Sequence, residues 1–145
     1  MRGIMAWILG IGLAANGLLM LAVPADWYAT VPGVTDTGPF NPHFIRDIGV
    51  AYLIAGVALP WFAMNRLALP AAQAGAAFLA IHALVHLWDA AAGREHLHQL
   101  LVDVPTVFLP PVLAVWIAWP FSRDANPTRE NNDDQMVSAA VDRQV

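Results

Sequence analysis

An all-α fold, an integral membrane four-helix bundle, is the class this sequence predicts, and three observations predict it. The 145-residue chain is 58% hydrophobic and only 12% charged, with no Lys and no Cys. Its apolar residues gather into four runs, each near the length of about 20 residues that crosses a hydrocarbon core of about 30 Å. The charged and helix-breaking residues lie mostly between those runs or after them. A soluble domain of this size needs a charged surface that this chain lacks, so lipid is the better solvent for residues 1–120, the transmembrane domain. Without Cys there are no disulfides, thiolate metal sites or cysteine catalysis. The net charge of −4 comes partly from the polar tail and does not point to a nucleic-acid partner.

The first run, Ile4 to Val23, stops at Pro24. A cleaved signal peptide is the rival reading, with Arg2 as its basic start. Signal cores are usually about 7–15 residues, so the length favours a retained helix. Pro24 to Pro42 reads as a long loop, punctuated by Pro32, Gly33, Gly38 and Pro39 and opened by the interfacial aromatics Trp27 and Tyr28. A loop this long is unusual between helices, and it is expected to fold back as a cap. The second span runs from His43 to Met64, with Pro42 suited to the first turn and Pro60 placed to kink the far end. The third, Leu69 to Ala92, begins with Ala71, Ala72, Ala74, Gly75, Ala76 and Ala77, small residues that let a neighbouring backbone come close. The fourth, His96 to Trp119, is interrupted by Pro105, Pro110 and Pro111, which predict a bend. Trp116 and Trp119 close it at the interface. Residues 121–145 read as a polar, mostly disordered cytoplasmic tail.

Arg2, Arg66, Arg123 and Arg129 fall on one side of this arrangement, and Arg46 and Arg94 on the other. The positive-inside rule then puts both termini in the cytoplasm and the long loop outside.

That topology collects the ionisable residues of three spans at the outer face. The second span contributes His43, Arg46 and Asp47; the third His82, His86 and Asp89; the fourth His96, His98 and Asp103. His82, His86 and Asp89 fall at i, i+4 and i+7, one stripe of a helix, and His43 and Asp47 at i and i+4. His82 is deepest, where an ionisable side chain is costly and faces a partner inside the bundle.

Three readings compete for this cluster. In the first it is structural: Arg46 pairs with Asp89 or Asp103 while the histidines satisfy carbonyls and water. In the second it is a metal site, with His82, His86 and Asp89 as ligands and His43, Asp47 or Asp103 completing the shell. Such nitrogen and oxygen donors suit Zn, Cu or Fe, and bundles build metal sites from facing helices. Arg46 would tune the charge or bind an anion, and His98 is a further ligand-binding candidate. In the third, haem b is held by His82 or His86 opposite His43 or His98, with Ala and Gly leaving room for the porphyrin. Proton relay, quinone binding and small-molecule transport share what remains.

Asp36-Thr37-Gly38 matches the aspartic-protease triplet, but that chemistry needs two aspartates sharing a proton, and here the triplet stands alone in a Pro/Gly loop. No phosphate-binding glycine loop, dinucleotide fingerprint or nucleophile elbow is present.

The segment Phe40-Asn41-Pro42-His43-Phe44-Ile45-Arg46-Asp47-Ile48-Gly49, followed by Tyr52, Leu53 and Gly56, resembles small uncharacterised bacterial four-helix membrane proteins. Size and helix count give a distant similarity to DoxX-like proteins. The resemblance implies an architecture and a bacterial inner membrane, and it transfers no activity. The sequence therefore predicts a membrane protein that binds a metal ion or small ligand. The alternatives are a structural or accessory subunit of a larger membrane complex or a homo-oligomer, joined through the Ala/Gly-rich face, and a haem b electron-transfer protein.

Overall fold

A computed structural model describes residues 1–94 and 97–120; the predicted tail and His96 lie outside the described residues. The described residues form helices joined by turns. They are α1 (Arg2–Ala22), α2 (Pro24–Thr30), α3 (Pro42–Met64), α4 (Leu69–Ala91), α5 (Leu97–Asp103) and α6 (Leu109–Ile117), with a π-helical segment, Val104–Phe108, between the last two. Four stretches are long and apolar enough to cross a membrane: Arg2–Ala22, Pro42–Met64, Arg66–Ala91 and His98–Ile117.

The boundaries follow local chemistry. Val23 leaves helical geometry because Pro24 crowds the residue before it, and Pro24 then opens α2 at a position that needs no N–H. Asn41 caps α3, its side-chain oxygen accepting from the backbone N–H of His43 at 3.1 Å and Phe44 at 3.2 Å. Asn65 repeats the device on Leu67 at 3.0 Å and starts the turn into α4. Gly93, at φ 70°, terminates α4 in a left-handed conformation that favours glycine.

α1 packs on α3, α3 on α4, α4 on α6, and α6 returns to α1. The α1–α3 seam is built on four glycines. A Cβ on Gly56 would meet the Gly10 carbonyl at 2.7 Å, and one on Gly17 would meet Leu53 N at 2.7 Å. One on Gly49 would meet the Gly17 carbonyl at 3.0 Å. The pairs Gly10–Gly56 and Gly17–Gly49 thus fix an antiparallel register in which the backbones touch. The small half of α4 also packs within the chain: a Cβ on Gly75 would stand 3.0 Å from Ala55 Cα. Ala72 and Ala114 are fully buried, while Ile8, Ile54, Ile81 and Leu84 are about 60% exposed, an inverted size order expected where lipid surrounds the bundle.

One sequence expectation needs correction. Residues 24–42 are not loop throughout, because they contain α2 and a 3₁₀ turn, Val34–Asp36. This segment is also tied down. Trp27 Nε1 donates to Asn16 Oδ1 on α1 at 2.9 Å, and the Tyr28 hydroxyl donates to the Gly38 carbonyl at 2.6 Å. In the fourth span α5 and α6 run on through the π segment that contains Pro105, which breaks the α-helical hydrogen-bond spacing between them. At the end remote from the 31–41 loop, Arg2 donates to the Trp116 carbonyl and lies over its indole, 5.0 Å from the ring centroid.

Candidate functional site

The end of the bundle that carries the 31–41 loop also carries its one buried charged side chain among the described residues. Asp103, the last residue of α5, is 4% exposed. One carboxylate oxygen lies 2.9 Å from His86 Nδ1 on α4, and the other accepts from the Gln99 amide at 3.0 Å. His86 joins α4 to the broken span because the two residues sit at matching depth. His86 is five residues from the end of α4 and Asp103 six from the start of α5, about 8–9 Å into their helices. A carboxylate accepting from one imidazole nitrogen fixes the tautomer and leaves Nε2 as the acceptor side of the ring.

The polarity continues inward through rings. His82 and His86 are one turn apart with ring centroids at 5.0 Å. His82 stacks on Phe78 at 5.9 Å and meets the edge of Tyr52, on α3, at 5.8 Å. A line of side chains therefore runs from Gln99 through Asp103, His86 and His82 to Tyr52. Its outer end is covered, for a Cβ on Gly33 would collide with the Gln99 side chain. The φ of 83° at Gly33 lets the loop lie directly on that amide.

The predicted ligands are only partly brought together. His82, His86 and Asp103 are; Asp89 is not, although it shares their stripe. It sits in the last turn of α4, where it holds Arg94 at 2.8 Å beside the Gly93 terminus. His43 and Asp47 face each other at 3.5 Å on the exposed first turns of α3, with side chains 88% and 62% exposed. Arg46 pairs with neither Asp89 nor Asp103: its Nε donates to the Leu21 carbonyl at 3.3 Å, capping α1. His98 is exposed on α5. Among the described residues no three His, Asp or Glu side chains converge as a metal-ligand set. Of the histidines considered for haem, His82 and His86 share α4, and His43 and His98 are exposed.

Sequence reasoning missed Gln99 and Tyr52. Gln99 is four residues before Asp103, the spacing at which helical side chains meet, and was legible on that ground. Tyr52 lies on another helix and no local pattern announces it.

The chain matches no protein-family model, no curated protein and no solved structure.

Proposed function

We propose that this chain is a membrane protein that binds a small ligand near the outer face through a proton-exchanging array of His82, His86 and Asp103. The observation that carries the reading is the Asp103 carboxylate, 4% exposed and held by His86 of another membrane helix at 2.9 Å. An ionisable pair in hydrocarbon is costly to keep, and apolar packing holds helices together without it. His86 and Asp103 offer a hydrogen-bond acceptor and a donor whose roles reverse when a proton moves between them, which suits a ligand that itself donates or accepts a proton. The covering loop and Gln99 order the carboxylate from the water side. Arg46 and the exposed His43–Asp47 pair take no part.

Thermal unfolding in detergent separates this reading from a structural latch. His86→Phe/Asp103→Leu removes both polar groups and keeps bulk. Equal or higher Tm in the double variant is expected, because a pair kept for function is not kept for stability. A double variant that unfolds well below the parent, by as much as Asp103→Leu alone, would make the pair a structural tie and end the proposal. Single Asp103→Leu should be less stable than the double, since it leaves His86 without its carboxylate in a dry site.

A further inference from the structure

We infer that the ligand of this array is a lipid-soluble ammonium cation, an inference that rests on the ligand-binding reading above and names its substrate class. Asp103 is the buried carboxylate of the site, its described partners are an imidazole and an amide, and among the described residues no arginine is placed against it. Arg94 holds Asp89, Arg46 caps α1, Arg66 lies over Phe62 with 5.0 Å to the ring centroid, and Arg2 is on Trp116. The chain has no Lys. The rings of Tyr52 and Phe78, edge to face at 5.6 Å, border His82 on its inner side.

The broken span adds an acceptor. Pro110 and Pro111 have no N–H, so the Thr106 carbonyl has no backbone donor at either the α-helical or the π-helical spacing. The remaining near donor, Leu109 N–H, bonds the Val104 carbonyl. In hydrocarbon a carbonyl in this state calls for a donor from elsewhere. Thr106 follows Asp103 by one turn, and at about 1.5 Å per residue it lies at the depth of His82, about 13 Å from the loop end. The π segment packs on α4, the helix that bears His82. A buried carboxylate and a carbonyl without a backbone donor, on one span packed against α4, match an ammonium group, which has N–H donors, a positive charge and no acceptor.

The route is through the bilayer. Gln99 and the Gly33 backbone cover Asp103 from the loop side, while Val85, beside His86 in sequence, and Leu101 and Val104, within two residues of Asp103, are at least half exposed and apolar. A charged head on an alkyl chain fits that surround; an anionic head would meet Asp103 unfavourably.

The test is NMR of ¹⁵N-histidine-labelled full-length protein in phosphatidylcholine nanodiscs, titrated with octylammonium, octanol and octanoate. Octylammonium should shift the His82 and His86 resonances saturably, and the other two should not. Asp103→Asn should weaken the octylammonium effect about tenfold or more, the scale of one lost charge-assisted bond. Asp103→Glu, which keeps the charge, should restore it and show that the fold survives change at this position. Pro110→Ala/Pro111→Ala returns N–H donors to the Thr106 carbonyl and should weaken octylammonium severalfold. Saturable, Asp103-dependent binding of octanol with octylammonium inert would overturn the cation inference and leave the ligand-binding reading standing. No saturable shift with any of the three, together with a destabilised His86→Phe/Asp103→Leu variant, would overturn both.

Discussion

Gly56 and Gly12 are both helical glycines in membrane spans, and the structure gives them opposite roles. A Cβ on Gly56 would strike the Ala14 backbone and the Gly10 carbonyl, the latter at 2.7 Å, whereas one on Gly12 would meet nothing within 4 Å. Neither obstacle at Gly56 is a side chain that can swing aside. Gly56→Val should therefore destabilise the bundle by about 1–3 kcal/mol or more, the range of overpacked cores. Gly12→Ala should be neutral or stabilise by up to about 1 kcal/mol through helix propensity. Unfolding in mixed micelles measures both, and equal effects would remove the seam from the account. At this scale the sequence was partly legible. Helical spacing put His82 and His86 together, but the same stripe wrongly enrolled Asp89, because α4 ends two residues later and its last turn belongs to Arg94 and Gly93. Arg46 was misread for a related reason: charge suggests a carboxylate partner, while the nearest acceptor is the uncapped end of α1.

Elements explain what residues alone do not. The prolines of the fourth span announced a bend, and the structure turns them into a division of labour: α5 carries Gln99 and Asp103 and packs on α4, while α6 closes the bundle against α4 and α1. The covering segment was harder to read, since its prolines and glycines signal loop and hide the two turns of α2 that Pro24 starts. Its hold on the bundle rests on Trp27 reaching Asn16 and on Gly33 lying against Gln99. Gly33→Val imposes a φ of 83° that a β-branched residue resists whatever side chain stands at position 99. We expect it to lift the loop from α5 while leaving the α1–α3 seam intact. The chain has no Cys, so Gln99→Cys supplies a single reporter. Maleimide labelling of that thiol should be much faster in the Gly33→Val background, and unchanged labelling would mean the loop does not cover this position. Asn16→Leu should act in the same direction more weakly, costing about 1–2 kcal/mol by leaving the Trp27 N–H without its acceptor.

Across the whole molecule, the four spans were the most legible feature, because run length and the polarity of the gaps are read directly from residue order. The site was less so, since Tyr52, His86, Asp103 and Gly33 come from separate segments and only packing joins them. Packing also reassigns the small-residue face of α4: Gly75 seats on Ala55 within the chain, so that face is already occupied and Gly75→Leu should first disturb the monomer. The orientation proposed from arginine placement decides which water phase the loop end of the bundle faces. Asp36 and Leu67 are exposed and stand at opposite ends of α3, one in the turn before it and one in the turn after it. With both termini cytoplasmic, a membrane-impermeant maleimide added to intact cells should label Asp36→Cys and spare Leu67→Cys until the membrane is opened. The reverse pattern would place the array at the cytoplasmic face. The bundle geometry and a ligand route through the bilayer would survive that result unchanged, with the loop end then facing the inside of the cell.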